Sequence, residues 1–235
     1  MQYDIKRRKF LKQSAAAALL AGIGSFGIHT LNAKPNPPTG GKRELLAEAG
    51  PMIPPVPAIL LTVNGDENIK DEISVVWTFV VNGIPPQIGI SVHHEHVAGG
   101  FIKKHKQFVL NVPTTDIIKS FDVVDMNSSK TGDKFELAGL TREQANKINA
   151  PAIAESPIHV ECIVTHTYEI APVRTVFIAD VAATTVFEGV CDANGKLMVD
   201  KVPFFGMTAG SGEFYTMGKR VGHIGESLGR DDIKY

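Results

Sequence analysis

The feature that most constrains the fold is a succession of short apolar runs rich in β-branched residues, each bounded by glycine, proline, asparagine or aspartate. Runs of this kind are typical of β-strands. They predict strands over 58–63, 73–81, 87–92, 108–112, 160–170 and 175–187, followed by a type I′ hairpin turn at 192–195. Short helices are predicted over 98–106, 116–123 and 142–149, the last with Thr141 as its N-cap. Because strands and helices do not alternate regularly, we expect an antiparallel barrel or sandwich.

Charge and motifs exclude several classes of function. The chain carries 24 Lys and Arg against 25 Asp and Glu, and this net charge of −1 argues against a nucleic-acid-binding protein. The sequence also lacks the glycine-rich turn of dinucleotide-binding folds, the phosphate-binding loop of nucleotide hydrolases and the nucleophile motif of α/β-hydrolases.

The N-terminus has the composition of an export signal. Five bases and one acid lie within the first twelve residues, and the fourteen residues 15–28 carry no charge. That stretch is shorter than the roughly 20 residues of a membrane span and is typical of a signal peptide. Residues 7–12 (RRKFLK) resemble a twin-arginine export signal, with an ordinary secretory signal or an uncleaved anchor as alternatives. We therefore predict an export signal over 1–33, a proline-rich linker over 34–56, and a periplasmic domain over 57–235 that contacts the membrane only during export.

A cluster of histidines follows the strand predicted over 87–92. Residues 93–96 read HHEH and precede Gly99 and Gly100. Imidazoles at alternate positions are common zinc or copper ligands, but the spacing lacks the H-E-x-x-H pattern. We interpret the turn as a polar loop at a helix N-terminus, where backbone N–H groups bind anions. Metal binding at this turn is the alternative.

Three further features allow two interpretations each. Cys162 and Cys191 are the only cysteines, and whether they form a disulfide is left open. Trp77 lies in a strand pattern, where it either packs in the core or lines a flat ring. The loop over 128–134 is rich in hydrogen-bond donors, which either hold a phosphate or face solvent.

The order of seven segments resembles the flavin reductase-like, FMN-binding split-barrel family, and within it the flavoredoxin-type branch. The segments are ISVVWT (73–78), PPQIGISV (85–92), FVLNVP (108–113), GDKFELAGLT (132–141), PAIAESPIHVECIV (151–164), FIADVAATTV (177–186) and GEFYTMGK (212–219). The resemblance implies a mainly β fold, an FMN-binding split β-barrel of Greek-key topology with a few short helices. It also implies a homodimer with FMN near the subunit interface, where we expect Phe204, Phe205 and Met207 to be buried.

The same resemblance implies which residues bind FMN. Those along the isoalloxazine ring would be Ser74, Trp77 and Thr78, and those that approach the ribityl phosphate would be Ser91, His93 and His96. Asn111 would hold the neighbouring strand edge, and the donors from the following loop would be Ser128, Lys130 and Lys134. No catalytic residue and no metal ligand are assigned.

The chain departs from the family at the turn after Val92. The flavoredoxin-type branch usually has two arginines and a threonine there, where this chain has His93, His96 and Ala98. Histidine is only partly charged at neutral pH, whereas arginine is always charged. Phosphate binding is therefore expected to be weaker and to decrease as the pH rises, or another ligand has replaced FMN.

These features together predict an exported FMN-dependent oxidoreductase or electron-transfer flavoprotein. Its electron donor is expected to be a redox protein or a small molecule other than a nicotinamide. One alternative is a split-barrel binding module that has lost FMN and binds another anionic or metal ligand at the turn from His93 to His96. A metal-dependent activity at that turn is the other.

Overall fold

The computed structural model describes residues 45, 47, 50–209, 211–224 and 226–229, which fall into two compact units. One unit spans Leu46–Val221 and contains all the strands and α-helices described below. The other contains residue 45 and the described part of 222–229, with a 3-10 helix at Glu226–Leu228. The predicted export signal over 1–33 and most of the predicted linker lie outside the described residues. No helix in the described part is long and apolar enough to cross a membrane.

The elements of the larger unit follow one another in a mainly β order. The strands are β1 (Val56–Pro57), β2 (Leu60–Asn64), β3 (Asp71–Val75), β4 (Trp77–Asn82), β5 (Gln87–His93), β6 (Gln107–Val112), β7 (Arg142–Gln144), β8 (Pro151–Ile153), β9 (Ile158–Ile170), β10 (Arg174–Val186), β11 (Phe205–Met207) and β12 (Phe214–Thr216). The helices are α1 (Ala98–His105), α2 (Ile118–Met126) and α3 (Lys134–Ala138), with a 3-10 turn at Thr115–Ile117 before α2.

Seven antiparallel strands form the main sheet, in the order β3-β2-β6-β9-β10-β5-β4. Its two edge strands, β3 and β4, are consecutive in the chain and are separated by Val76 alone. The Val76 N–H donates to the carbonyl of Ile59, which lies before β2. Because one bent segment begins at one edge and ends at the other, the sheet closes into a barrel. The expected mainly β barrel fold is confirmed.

Alternate residues of β2 belong to two different cores. Leu61 and Val63 belong to a cluster that includes Phe108, Phe177 and, from α1, Ile102. Leu60 instead belongs to a cluster in which β3 packs against α2 and α3, with the three rings of Phe121, Phe205 and Phe214 arranged edge to face. This second core holds α2, and the loop that follows it, beside β3.

Several sequence predictions are corrected by the structure. The strand predicted over 73–81 is interrupted at Val76, where the chain passes between the sheet edges. The helix predicted over 142–149 is wrong, because 142–144 form β7 and the N–H groups of residues 146–148 donate to the buried Glu161 carboxylate. Helix α3 was not predicted; the carboxylate of Asp133 caps its N-terminus.

Two further predictions meet a different local geometry. The turn at 192–195 is present, but among its residues only Gly195 has a positive φ, of 76°, whereas a type I′ turn requires two such residues. Phe204 and Phe205 are buried within their own chain, so they do not form the exposed apolar face that we expected at a subunit interface.

Candidate functional site

A cleft opens beside the barrel where β5 ends and α1 begins. Three adjoining cavities of about 320, 300 and 190 Å³ form it, and His96 lines all three. We call them together the His96 cleft. Its walls come from β3 and β4, the turn over 93–97, the end of α2 with the loop over 127–129, and Lys134 at the start of α3.

A buried carboxylate, that of Glu72, lies at the floor of the largest cavity. It is 1% exposed. Glu72 Oε1 accepts a hydrogen bond of 2.6 Å from the Ser74 hydroxyl, and Oε2 accepts one from the hydroxyl of Ser129. Lys134 Nζ lies 3.4 Å from Oε1 and donates to the carbonyls of Ile73 and Val124 at 2.8 and 3.3 Å. The buried charge of Glu72 is therefore paired and hydrogen-bonded within the chain.

The imidazole of His96 has an unsatisfied polar atom. Its Nδ1 is buried and has no hydrogen-bond partner in the structure. Burial lowers the pKa of His96 below its ordinary value, and the nearby positive charge of Lys134 lowers it further. The free protein therefore holds this imidazole in its neutral form at neutral pH. A buried polar atom without a partner is uncommon in folded proteins, and His96 is the residue common to all three cavities.

The second cavity brings a cation over an aromatic ring. The guanidinium carbon of Arg174, at the start of β10, lies 3.9 Å from the ring centroid of Trp77. Arg174 pairs with His93 across the sheet and donates from Nη1 to the carbonyl of Ser91 at 3.3 Å. Burial lowers the pKa of Arg174, but a guanidinium stays charged at neutral pH. The cleft thus has a permanent positive charge beside the histidine turn, from a residue that the sequence did not single out.

The third cavity is lined by an ion-pair network. Lys103 Nζ lies 2.6 Å from the Glu169 carboxylate, which is also 3.3 Å from Nε2 of His94, and the pKa of Glu169 is lowered chiefly by Lys103. The N–H groups of Gly99 and Gly100 donate to backbone carbonyls of the preceding turn. These two amides are therefore already used within the chain. In the described residues, no three metal-ligating side chains are grouped to hold a metal ion.

Six of the ten residues expected to bind the cofactor line the His96 cleft. They are Ser74, Trp77, His93, His96, Ser128 and Lys134. Thr78 lies beside Trp77 in a separate apolar cavity, and its hydroxyl donates to the carbonyl of Gly89.

Three of the ten lie outside the cavities described. Ser91 offers its carbonyl to Arg174. Lys130 is exposed, and its backbone N–H donates to the Ser128 hydroxyl. Asn111 is buried. Its side chain donates to the Leu60 carbonyl and the Thr62 hydroxyl and accepts from the Ile153 N–H, so it links neighbouring strands.

The sequence missed the two charged residues that most affect the cleft. Glu72 and Arg174 each lie one residue before a predicted strand, over 73–81 and 175–187. Both in fact lie within strands, β3 and β10, and a charged residue at the end of an apolar run was the available signal. Their partners, Ser129, Lys134 and Trp77, are too distant in sequence for any local pattern to reveal the contacts.

The two cysteines are free thiols. Cys162 is buried in the barrel core, and this burial raises its pKa to about 12, with a smaller contribution from the charge of Glu161. Cys191 is half-buried beside the 192–195 turn. The question that the sequence left open is thus answered against a disulfide in this structure.

Comparisons with known proteins agree with this architecture. The flavin reductase like domain family matches residues 54–200. An uncharacterized protein of Pyrococcus abyssi is 27% identical over 133 residues, which is 55% of this chain and 76% of that protein. The flavoredoxin of Desulfovibrio vulgaris (Miyazaki F) superposes with a TM-score of 0.71 at 22% identity, over 77% of this chain and 97% of the other. The flavoredoxin of Methanosarcina acetivorans gives 0.70 at 25% identity, over 80% and 100%.

Proposed function

Because this chain belongs to the flavin reductase like domain family, we propose that it binds a flavin in the His96 cleft and acts as an oxidoreductase or electron carrier. The observation that carries this placement is the buried, unpartnered Nδ1 of His96, a residue that lines all three cavities. Buried polar atoms without partners are uncommon in folded proteins, and a ligand supplies the missing bond.

The Trp77 and Arg174 pair suits the flat part of a flavin. An indole ring stacks on aromatic systems, and a guanidinium both stacks and carries charge. These two side chains form one wall of the cavity of about 300 Å³. Trp77 and Arg174 would orient the isoalloxazine of FMN, the cofactor that the family resemblance implies, or of a related flavin. The bound flavin would supply the redox chemistry, and the protein would position it and exclude water.

The remaining parts of the proposal concern location and assembly. The basic N-terminus supports export to the periplasm, and nicotinamide donors are scarce there, so a redox protein or another small molecule is the proposed electron donor.

A homodimer is proposed through β4, where Phe79, Val80 and Val81 are 47, 77 and 43% exposed. Light scattering should give twice the monomer mass for the wild type, and Val80→Asp should give the monomer. A matched change on α3, Leu137→Asp, should leave the dimer intact.

The flavin itself is tested by absorbance and by binding. Purified full-length protein is expected to show flavin bands near about 375 and 450 nm, either as isolated or after incubation with flavin. Replacing Arg174 by alanine should weaken flavin binding about tenfold. The proposed contact of the guanidinium with the flavin ring is of the cation–π kind, which is worth roughly 1–2 kcal/mol when desolvated. Lys196→Ala, at an exposed residue directly after the 192–195 turn, is the matched control and should leave affinity unchanged. Folded wild-type protein that binds no flavin would refute the proposal.

A further inference from the structure

We propose that Glu72 sets the ligand range of the His96 cleft: its carboxylate takes the hydrogen-bond donors that a phosphate would use, so the chain prefers a flavin with an uncharged tail to FMN. This inference rests on the proposed flavin function and adds the class of flavin.

The donors at the floor of the cavity are already committed. A serine hydroxyl has one proton to donate, and both Ser74 and Ser129 donate theirs to Glu72. An ammonium has three protons, and Nζ of Lys134 has three acceptors around it: the carbonyls of Ile73 and Val124 and the carboxylate of Glu72. A phosphate placed here would therefore have to displace the Glu72 carboxylate from all three side chains.

The charge of the same cavity opposes a second anion. Glu95 and Asp125 line it together with Glu72, so three carboxylates accompany the single ammonium of Lys134. His96 adds no positive charge in its neutral form, and Arg174 lies on the wall of the neighbouring cavity. A phosphate monoester carries a charge of about −1.5 to −2 at pH 7. Like charges brought together in a partly closed site repel strongly.

An uncharged ribityl tail meets the opposite situation. Its hydroxyl groups carry both protons and lone pairs, so they can donate to the remaining lone pairs of the Glu72 carboxylate and can pair with the orphaned Nδ1 of His96 in either tautomer. A polyol tail can donate to these atoms without separating Glu72 from Lys134. The cavity thus suits riboflavin, whose tail ends in a hydroxyl, better than FMN, whose tail ends in a phosphate.

The experiment measures dissociation constants of riboflavin and FMN by quenching of flavin fluorescence, with purified full-length protein at pH 7.5. Wild-type protein should bind riboflavin at least about tenfold more tightly than FMN. Glu72→Gln should reduce this ratio by about tenfold or more, mainly by tightening FMN binding. Glu136→Gln removes an exposed carboxylate of α3 that does not line this cavity and should change the ratio less than about threefold, because exposed charges are screened.

The outcomes separate this inference from the proposed function. Wild-type protein that binds FMN more tightly than riboflavin would overturn the role of Glu72 while supporting flavin binding. Folded protein that binds neither flavin would overturn both. The wild-type ratio needs no variant, so it decides the matter even where Glu72→Gln fails to fold.

Discussion

Replacement of Glu161 by glutamine tests how the fold holds the segment between β7 and β8. Glu161 lies in β9, and its carboxylate is fully buried. Oε1 accepts from the N–H of Asn146 at 2.8 Å, and Oε2 accepts from those of Lys147 and Ile148 at 2.6 and 3.2 Å. A glutamine has one acceptor oxygen and one NH₂ group in place of two acceptor oxygens. One side of the new amide must therefore point its protons at a backbone N–H.

The magnitude follows from these three contacts. If the glutamine oxygen takes the position of Oε2, the Asn146 N–H loses its partner, which costs about 1–3 kcal/mol. The other two hydrogen bonds lose their charge and roughly half their strength, or about 1 kcal/mol together. We expect the free energy of unfolding to fall by about 3 kcal/mol. With a denaturant slope of about 2 kcal/mol per molar urea, the midpoint would fall by about 1.5 M.

The assay is equilibrium unfolding in urea, followed by circular dichroism. Glu143→Gln is the control, because Glu143 is an exposed carboxylate in the adjacent strand β7. Its free energy of unfolding should change by less than about 0.5 kcal/mol. If Glu161→Gln unfolds at the wild-type midpoint, the carboxylate does not hold the 146–148 segment and our reasoning fails.

Three further predictions concern titration and pairing. The pKa of His96 is lowered in the folded protein, so the unfolded chain binds more protons below pH 6.5. The stability of the wild type should therefore fall on acidification below that value, and the stability of His96→Gln should fall less. Urea midpoints measured against pH will show this difference. Because the pKa of Cys162 is raised to about 12, an alkylating reagent at pH 8 should modify Cys191 in native protein and Cys162 only after unfolding, as detected by mass spectrometry. Arg142 Nε and Nη2 lie 2.8 and 2.5 Å from Asp71 and Asp133, so Arg142→Gln should lower the thermal midpoint by the equivalent of about 1 kcal/mol.

The strands were predictable because their signal is local. Alternating or continuous apolar residues ended by turn residues located β2, β5, β6, β9 and β10 to within a few residues. The break at Val76 was not predictable, because apolar residues run through it without interruption and only the N–H to Ile59 carbonyl bond shows where the chain leaves one edge for the other. The helix predicted over 142–149 failed because a distant carboxylate captured the backbone amides that a helix would have used.

The cleft was predictable only in part, for a related reason. Residue type and order placed His93 and His96 where β5 leads into the turn before α1, since His93 ends β5 and His96 lies three residues later. Whether such residues bind an anion depends on charges contributed by other elements. Glu72 and Arg174 supply opposite charges to the cleft from two strands that are about a hundred residues apart in sequence. The charges that act on the pKa of His96, those of Lys134, Asp125 and Glu72 among them, likewise come from different elements of the fold.

The position of Arg174 in the cleft depends on the number of residues in the long ribbon of β9 and β10. Arg174 is the first residue of β10, and bulges interrupt the pairing with β9 only farther along, between Ile178 and Ala179 and between Val181 and Ala183. Side chains alternate between the two faces of a strand, so loss of the single residue Val176 would turn the guanidinium away from Trp77 and leave the barrel core in place. An insertion or deletion of one residue in this ribbon would thus change which ligand the cleft binds while every residue of the cleft itself is kept.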